Sequence, residues 1–240
     1  MSIYHLPGRA FLRLSGPDAE RYLNGQITQK VADADQTRTL WTAVTNAQGG
    51  IEGVGCLRQL TTGDYLIDCP VEIGDEMEAR LDRYLIADDC EWSREDEQWQ
   101  ILVSEEELTE GLVTSSNRYR TPRMESVVEA GTTTYEELPL ELEQQWRVMN
   151  GVPAWGSEVL AGMLPAECGL YQLALSFDKG CYIGQEIISR METAGRTRTK
   201  LYRVQSESAT EECSTVAKIA GQFFGLMVAK QAPEGTVITY

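Results

Sequence analysis

The chain has 240 residues, and its 37 acidic side chains against 21 basic ones leave a net charge of −16. Such a surface repels phosphate backbones, so direct nucleic-acid binding over a broad face is not expected. A single histidine, His5, excludes multi-histidine metal sites and leaves any Ser-His or Cys-His arrangement dependent on an imidazole beside the N-terminus.

No apolar run approaches the length of a membrane span. The opening MSIYHLPGRAFLRLSG lacks both the apolar core of a secretory signal and the Arg- and Ser-rich pattern of a transit segment, which gives a cytoplasmic expectation. Six cysteines are present (Cys56, Cys69, Cys90, Cys168, Cys181 and Cys213), none in a C-x-x-C pair. Neither a structural zinc site nor a disulfide framework is expected from them, and each is by default a reduced, small, buried hydrophobe.

Taken in chain order, AFLRLSG (10–16) alternates apolar and polar residues and predicts a strand. GPDAERYLNG predicts a short helix, with Pro17 suited to its start and Gly25 to its exit. RTLWTAV (38–44) and IEGVGCLRQL (51–60) flank the turn-rich TNAQGG and predict a hairpin, and DYLIDC (64–69) predicts a further strand. In VEIGDEMEARLDRYL (71–85), Ile73, Met77, Leu81 and Leu85 repeat on one helical face. WQILV is a strand candidate flanked by acidic side chains (Glu91, Glu95, Asp96, Glu97, Glu105, Glu106 and Glu107) that read as a solvated edge. Residues 114–135 are rich in Thr, Ser and Gly and predict irregular chain. LPLELEQQWRVMNGVP (138–153) predicts a helix with Leu142, Trp146 and Met149 on one face, closed by Gly151 and Pro153. A helix is predicted from GQEIISRM onward, and LYRVQS, VAKIAG, FFGLMVA and TVITY predict a small closing β unit.

The stretch FDKGCYIGQEIISR (177–190) has no ordinary core composition. Gly180 and Gly184 bracket Cys181, and a helix beginning near Ile183 or Gly184 would place that cysteine at its positive end. With Lys179 two residues before it, the thiol has the surroundings that favour a thiolate. Gln185 and Glu186 fall in the first turn, where they orient a ligand or cap the helix. The bland alternative is a tight turn in which Cys181 serves as packing. The sequence expectation is a thiol presented to a pocket. Lys179, Arg190, Arg196, Arg198, Lys200 and Arg203 form the one marked basic run of the chain. It suits a polyglutamate tail, a phosphate, or an acidic face of the same protein.

KGCYIGQE at 179–186, followed by Arg190, resembles the signature of the YgfZ folate-binding family, which includes mitochondrial iron–sulfur assembly factors. SGPDAERYLNGQIT (15–28), QQWRVMNGVP (144–153) and LPAECGL (164–170) follow in the family's order, so the resemblance covers residues 10 to 203. The family is itself related to the glycine-cleavage T-protein, an aminomethyltransferase. The resemblance implies an α+β fold, with three small units around a central folate pocket and a reduced C-terminal β-barrel. The first unit would combine 1–37 with 110–198, the second would be the insertion 38–109, and the last would be 199–240. It implies tetrahydrofolate or a derivative as cofactor, no stably bound metal, and iron–sulfur client or assembly proteins as partners. The role implied is in iron–sulfur cluster assembly or repair, supporting tRNA modification indirectly, with no direct nucleic-acid or membrane partner and no classical turnover required. Cys181 is the implied functional thiol, and Trp146, Lys179, Gly180, Gln185, Glu186 and Arg190 are the implied cofactor-binding residues. Alternatives are a folate-dependent aminomethyl or one-carbon transferase and a non-redox folate-sensing module. Two departures stand out. Arg9 replaces an aromatic residue that some relatives carry at folate, and Gly50 stands where members often have a basic residue.

Overall fold

The computed structural model describes residues 3–104, 108–109, 111–116, 118–120, 123–131, 134–194, 197–208, 211–234 and 236–240. Glu105, Glu106 and Glu107 of the acidic edge and Arg196 of the basic run lie outside them.

Apolar alternation becomes strand at β1 (Ile3–Leu6) and β2 (Arg9–Ser15), and the turn chemistry of GPDA leads into α1 (Ala19–Gln26). The expected hairpin is β3 (Arg38–Thr45) paired antiparallel with β4 (Ile51–Gln59), which pairs in turn with β5 (Tyr65–Pro70). The helix predicted over 71–85 is shorter. Residues Val71–Ile73 form a 3₁₀ turn, and α2 runs from Gly74 to Asp82, burying Met77 and Leu81. There follow β6 (Glu91–Arg94), β7 (Trp99–Ser104), β8 (Leu112–Ser116), β9 (Arg123–Glu129) and the two-residue β10 (Glu136–Glu137). These ten strands make one sheet in the order β10-β1-β7-β9-β8-β3-β4-β5-β2-β6.

Residues 114–135, expected to be irregular, contribute β8 and β9. Their buried side chains include the polar Thr114, Glu125 and Ser126, so no simple apolar alternation marks the strands.

The sheet has a seam. Its β1-β7-β8-β9-β10 half meets the other half where β8 runs parallel to β3, through Arg38↔Ser115 and Thr39↔Ser116. A buried ion network crosses this narrow join. Arg58 of β4 donates to Asp68 Oδ1 of β5 at 2.5 Å and to Glu125 Oε1 of β9 at 2.6 Å. Arg118 donates to both Asp68 oxygens at 2.9 and 3.0 Å and, through Nε, to Glu125 Oε2 at 2.9 Å. Arg9 Nε adds a bond to Asp68 Oδ2 at 2.8 Å. Ser116 Oγ donates to Glu125 Oε2 at 2.8 Å. Burial pushes the Asp68 carboxyl up, but Arg118, Arg9 and Arg58 outweigh it and hold the group well below the carboxylate range. Glu125 is likewise held down by Arg118 and Arg58 against its burial.

Past this sheet, α3 (Leu140–Asn150) ends at Gly151, whose left-handed backbone (φ 62°) supplies the expected cap. The helix presents two faces. Trp146 packs into the sheet core with Tyr119, Leu138 and Val127. Val148 packs against Leu201, Ala217 and Leu226. Met149, expected on the Trp146 face, is exposed. Two further helices, α4 (Tyr171–Ala174) and α5 (Gln185–Ala194), precede the C-terminal strands β11 (Lys200–Ser206), β12 (Thr215–Ile219), β13 (Gln222–Ala229) and β14 (Thr236–Thr239). Where a reduced β-barrel was expected, the described residues form an open four-stranded antiparallel sheet, ordered β12-β13-β11-β14. Its two end strands do not meet, and α3 covers one face instead of a closing strand. Among the described residues, no helix is long and apolar enough to cross a membrane.

The seam network predicts a pH dependence. Both carboxylates have lowered folded pKa values against about 4 in the unfolded chain, so their contribution is complete above that pH. It is lost as pH falls through the folded values, because the unfolded state then binds more protons. Acid titration followed by circular dichroism should show stability declining below about pH 4. Asp68→Ala, which leaves three arginines facing one carboxylate, should cost about 3–5 kcal/mol in denaturant unfolding at neutral pH.

Candidate functional site

The stretch from Lys179 to Ile183 lies across the carboxyl end of α1. Lys179 Nζ donates to the carbonyl oxygens of Asn24 at 2.8 Å, Ile27 at 2.7 Å and Gln29 at 2.8 Å. Those carbonyls belong to a helix end and the turn after it, where acceptors are unsatisfied and the dipole is negative. Burial pulls the lysine down to about 7. Its three neighbours only accept, so the contacts themselves favour the fully protonated ammonium. The ammonium also sits 4.9 Å from the centre of the Tyr182 ring. The Ile183 amide bonds the Gly25 carbonyl at 3.3 Å.

The other anchor is the β3–β4 turn. Thr45 Oγ1 donates to the Ile183 carbonyl at 2.5 Å. Gly184 has φ 88°, and a Cβ there would run into the Asn46 carbonyl oxygen, so only glycine fits. Helix α5 begins at the next residue and buries Ile188 beneath it.

Between these anchors Cys181 faces solvent. Alone among the six cysteines it is exposed. Cys56, Cys69 and Cys168 are buried, and burial pushes each thiol up to about 12. Gly180 is exposed beside Cys181, and Glu186 and Arg190 form an exposed ion pair of 2.5 Å one turn apart on α5. Gln185 is half-buried at the first position of that helix. Of the motif residues, Gly180, Cys181, Glu186 and Arg190 are thus exposed, and Lys179 and Gln185 are half-buried.

They do not line the central cavity. That cavity, of ≈350 Å³, lies among the ten-stranded sheet, α3 and the edge of the second sheet. Its walls include Arg9, Trp41, Arg118, Tyr119, Glu143, Arg147, Trp155 and Thr215. Trp146 is not among them. It is 8% exposed and stands behind Tyr119, the two ring centroids 5.2 Å apart and the planes at 66°. The aromatic faces toward the cavity are Trp41, Tyr119 and Trp155, which the sequence reading did not single out. Trp41 is fixed by its indole N–H, which donates to the Arg118 carbonyl at 2.9 Å.

Most of the cavity's cationic groups are already engaged. Arg9 and Arg118 belong to the seam network. Arg147 Nη2 donates to Glu158 Oε2 at 2.6 Å, and the other oxygen of that buried carboxylate accepts from Ser214 at 2.5 Å and Thr215 at 2.6 Å. This carboxylate ties the second sheet to the cavity's rim. Among the described residues no cluster of three or more His, Cys, Asp or Glu side chains stands close enough to hold a metal.

This architecture is that of the T-protein fold. The crystal structure of glycine cleavage system aminomethyltransferase T from Bartonella henselae superposes with a TM-score of 0.77, over 95% of this chain and 78% of that one, at 10% identity. Sequence relatives include proteins of two names. The mitochondrial iron–sulfur cluster assembly factor IBA57 of Mus musculus is 29% identical over 85% of this chain and 66% of its own length. The tRNA-modifying protein YgfZ of Escherichia coli O157:H7 is 24% identical over 84% of this chain and 71% of its own. No family model matches the chain. Both groups align along most of this chain, so it resembles the YgfZ and IBA57 proteins in sequence and the T-protein in fold.

The exposure pattern predicts selective chemistry. Under native conditions iodoacetamide should label Cys181 fastest, the half-buried Cys90 and Cys213 more slowly, and the three buried thiols least, as read by peptide mass spectrometry. The same reagent should modify all six thiols after unfolding. Native labelling of Cys56 or Cys168 at a comparable rate would contradict the burial described above.

Proposed function

We propose that this chain is a folate-binding accessory protein of iron–sulfur cluster assembly or repair, with Cys181 as its functional thiol. Support comes from the relatives' names, the T-protein fold, and one observation above the others. The motif surface spends two separate anchors, Lys179 on α1 and Gly184 on the β3–β4 turn, to hold a single cysteine out in solvent. A packing cysteine would need neither.

In this reading, tetrahydrofolate or a derivative occupies the central cavity. The residues present suit a flat heteroaromatic ring: Trp41, Tyr119 and Trp155 supply aromatic faces, and Glu143 and Gln144 supply polar atoms that can meet ring N–H and carbonyl groups. At ≈350 Å³ the cavity takes the ring end and leaves a glutamyl tail at the mouth. Trp146 acts through Tyr119, setting the wall from behind. Lys179, Gly180, Gln185, Glu186 and Arg190 serve the thiol's surface, so the set implied by the family signature divides into a cavity part and a thiol part. The three-unit division at 1–37 with 110–198, 38–109 and 199–240 belongs to the same reading.

A cluster, as cargo, needs more thiolates than one exposed cysteine provides. Cys181 therefore meets a client or assembly partner transiently, in the cytoplasm, and the effect on tRNA modification is indirect, in keeping with the charge of −16. The T-protein fold also keeps a tetrahydrofolate-dependent transferase as the second reading. Product formation from an aminomethyl donor would favour it.

Tetrahydrofolate added to the protein should quench tryptophan fluorescence saturably. Trp155→Phe should weaken binding severalfold, and Trp146→Phe should leave it within about twofold. No saturable change, or loss confined to Trp146→Phe, would remove the central cavity from the reading. Separately, Cys181→Ala should fold like the parent chain yet fail to complement a strain lacking the gene. Full complementation would end the thiol's role.

A further inference from the structure

A second cavity, of ≈220 Å³, lies on the other side of the 118–120 segment and shares no lining residue with the central one. Arg118 and Tyr119 face the central cavity, and Arg120 faces this one. The backbone turns between them at Arg120, which has φ 57°, a left-handed conformation uncommon outside glycine and kept where surroundings impose it.

Arg120 has no acidic partner among the described residues. Its Nη2 donates to the Gly169 carbonyl at 2.7 Å, its guanidinium carbon lies 5.0 Å from the centre of the Tyr240 ring, and its buried Nε–H has no acceptor among the described residues. Thr197 Oγ1, on the same cavity, is also buried without a partner among the described residues. Lys200 adds a second cation to the wall, and Glu192 one acid. Burial pulls the Arg120 guanidinium below its ordinary value, opposed only by the Tyr240 phenol. Apart from these groups, Ala166, Gly169, Met191 and the rings of Tyr171 and Tyr240 give the cavity apolar walls.

We propose that this cavity binds a small organic carboxylate, its charge on Arg120 and its apolar body between Met191 and the two tyrosine rings. An arginine taken from water without a counterion is costly, and an incoming carboxylate supplies both the missing charge and an acceptor for Nε–H. The apolar walls favour a carboxylate carried on a ring or short hydrocarbon over a fully hydrated inorganic anion. The volume, under the ~300 Å³ at which drug-sized sites begin, limits that body to about one ring. Because Met191 and Glu192 belong to α5, an occupant would sit against the helix that follows Cys181.

Benzoate is the probe, titrated into the full chain by isothermal calorimetry, with benzyl alcohol as the neutral match and inorganic phosphate as the compact anion. Saturable benzoate binding is expected, with both controls at least tenfold weaker. Arg120→Gln should weaken benzoate at least tenfold, and the more exposed Lys200→Gln about threefold, a change that does not depend on the buried arginine's contribution to folding. Ala166→Phe, which fills the cavity, should abolish binding while tetrahydrofolate quenching persists, separating this site from the central one. Benzyl alcohol binding as tightly as benzoate, phosphate outcompeting it, or benzoate affinity unchanged in both Arg120→Gln and Ala166→Phe would overturn the assignment.

Discussion

Arg58 and Arg118 hold two carboxylates, Asp68 and Glu125, across the short join between the two halves of the large sheet. Among the described residues two pairs join β3 to β8 there, so strand pairing by itself leaves the angle of the two half-sheets loosely set. Buried ions are costly to desolvate, and their value lies in geometry: each carboxylate must meet particular guanidinium groups, which admits one arrangement of the halves. The central cavity inherits that arrangement. Arg9 and Arg118 are at once members of the network and parts of the cavity wall, and the Arg118 carbonyl fixes Trp41. An occupant thus meets a wall whose charges are largely spoken for and whose aromatic faces are fixed in place.

The second sheet is attached by a different device. Val148 on α3 gives apolar contact, and Glu158 gathers Arg147, Ser214 and Thr215 at the cavity's rim. One helix therefore serves both bodies of the fold, Trp146 to the large sheet and Val148 to the small one. The cysteine surface is held apart from this joint, by α1 and the β3–β4 turn. β3 reaches both cavity and thiol surface, with Trp41 in the cavity wall and Thr45 holding the Ile183 carbonyl.

What the sequence revealed follows from what kind of force each feature depends on. β2, the β3–β4 hairpin and α3 with its glycine cap were legible because burial periodicity and turn residues act locally. β8 and β9 were not, since Thr114, Glu125 and Ser126 are buried through partners as distant in sequence as Arg58. The motif glycine at 184 could be read as a hinge, yet the reason that only glycine serves, the approach of Asn46, is tertiary. The cysteine motif pointed to an accessible thiol and also to a pocket. Exposure was correct, and the cavity lies elsewhere, lined by Trp41 and Trp155, which carry no local signature. The family resemblance implies Trp146 as a cofactor-binding residue, and the sequence places it equally on the buried face of its helix. Which way it turns on α3 is decided by Tyr119, and no spacing within 138–153 encodes that.

The lysine at 179 has a further implication for how this surface can vary. Its three acceptors, on Asn24, Ile27 and Gln29, converge on one nitrogen, and a tetrahedral ammonium has three hydrogens to give from one point. A guanidinium of equal charge is flat and spreads its hydrogens over several atoms in a plane, so it cannot reach all three oxygens together. The position therefore demands a shape as well as a sign, and exchange for the commoner substitute cation would let the loop bearing the thiol swing free of the helix it now rests on.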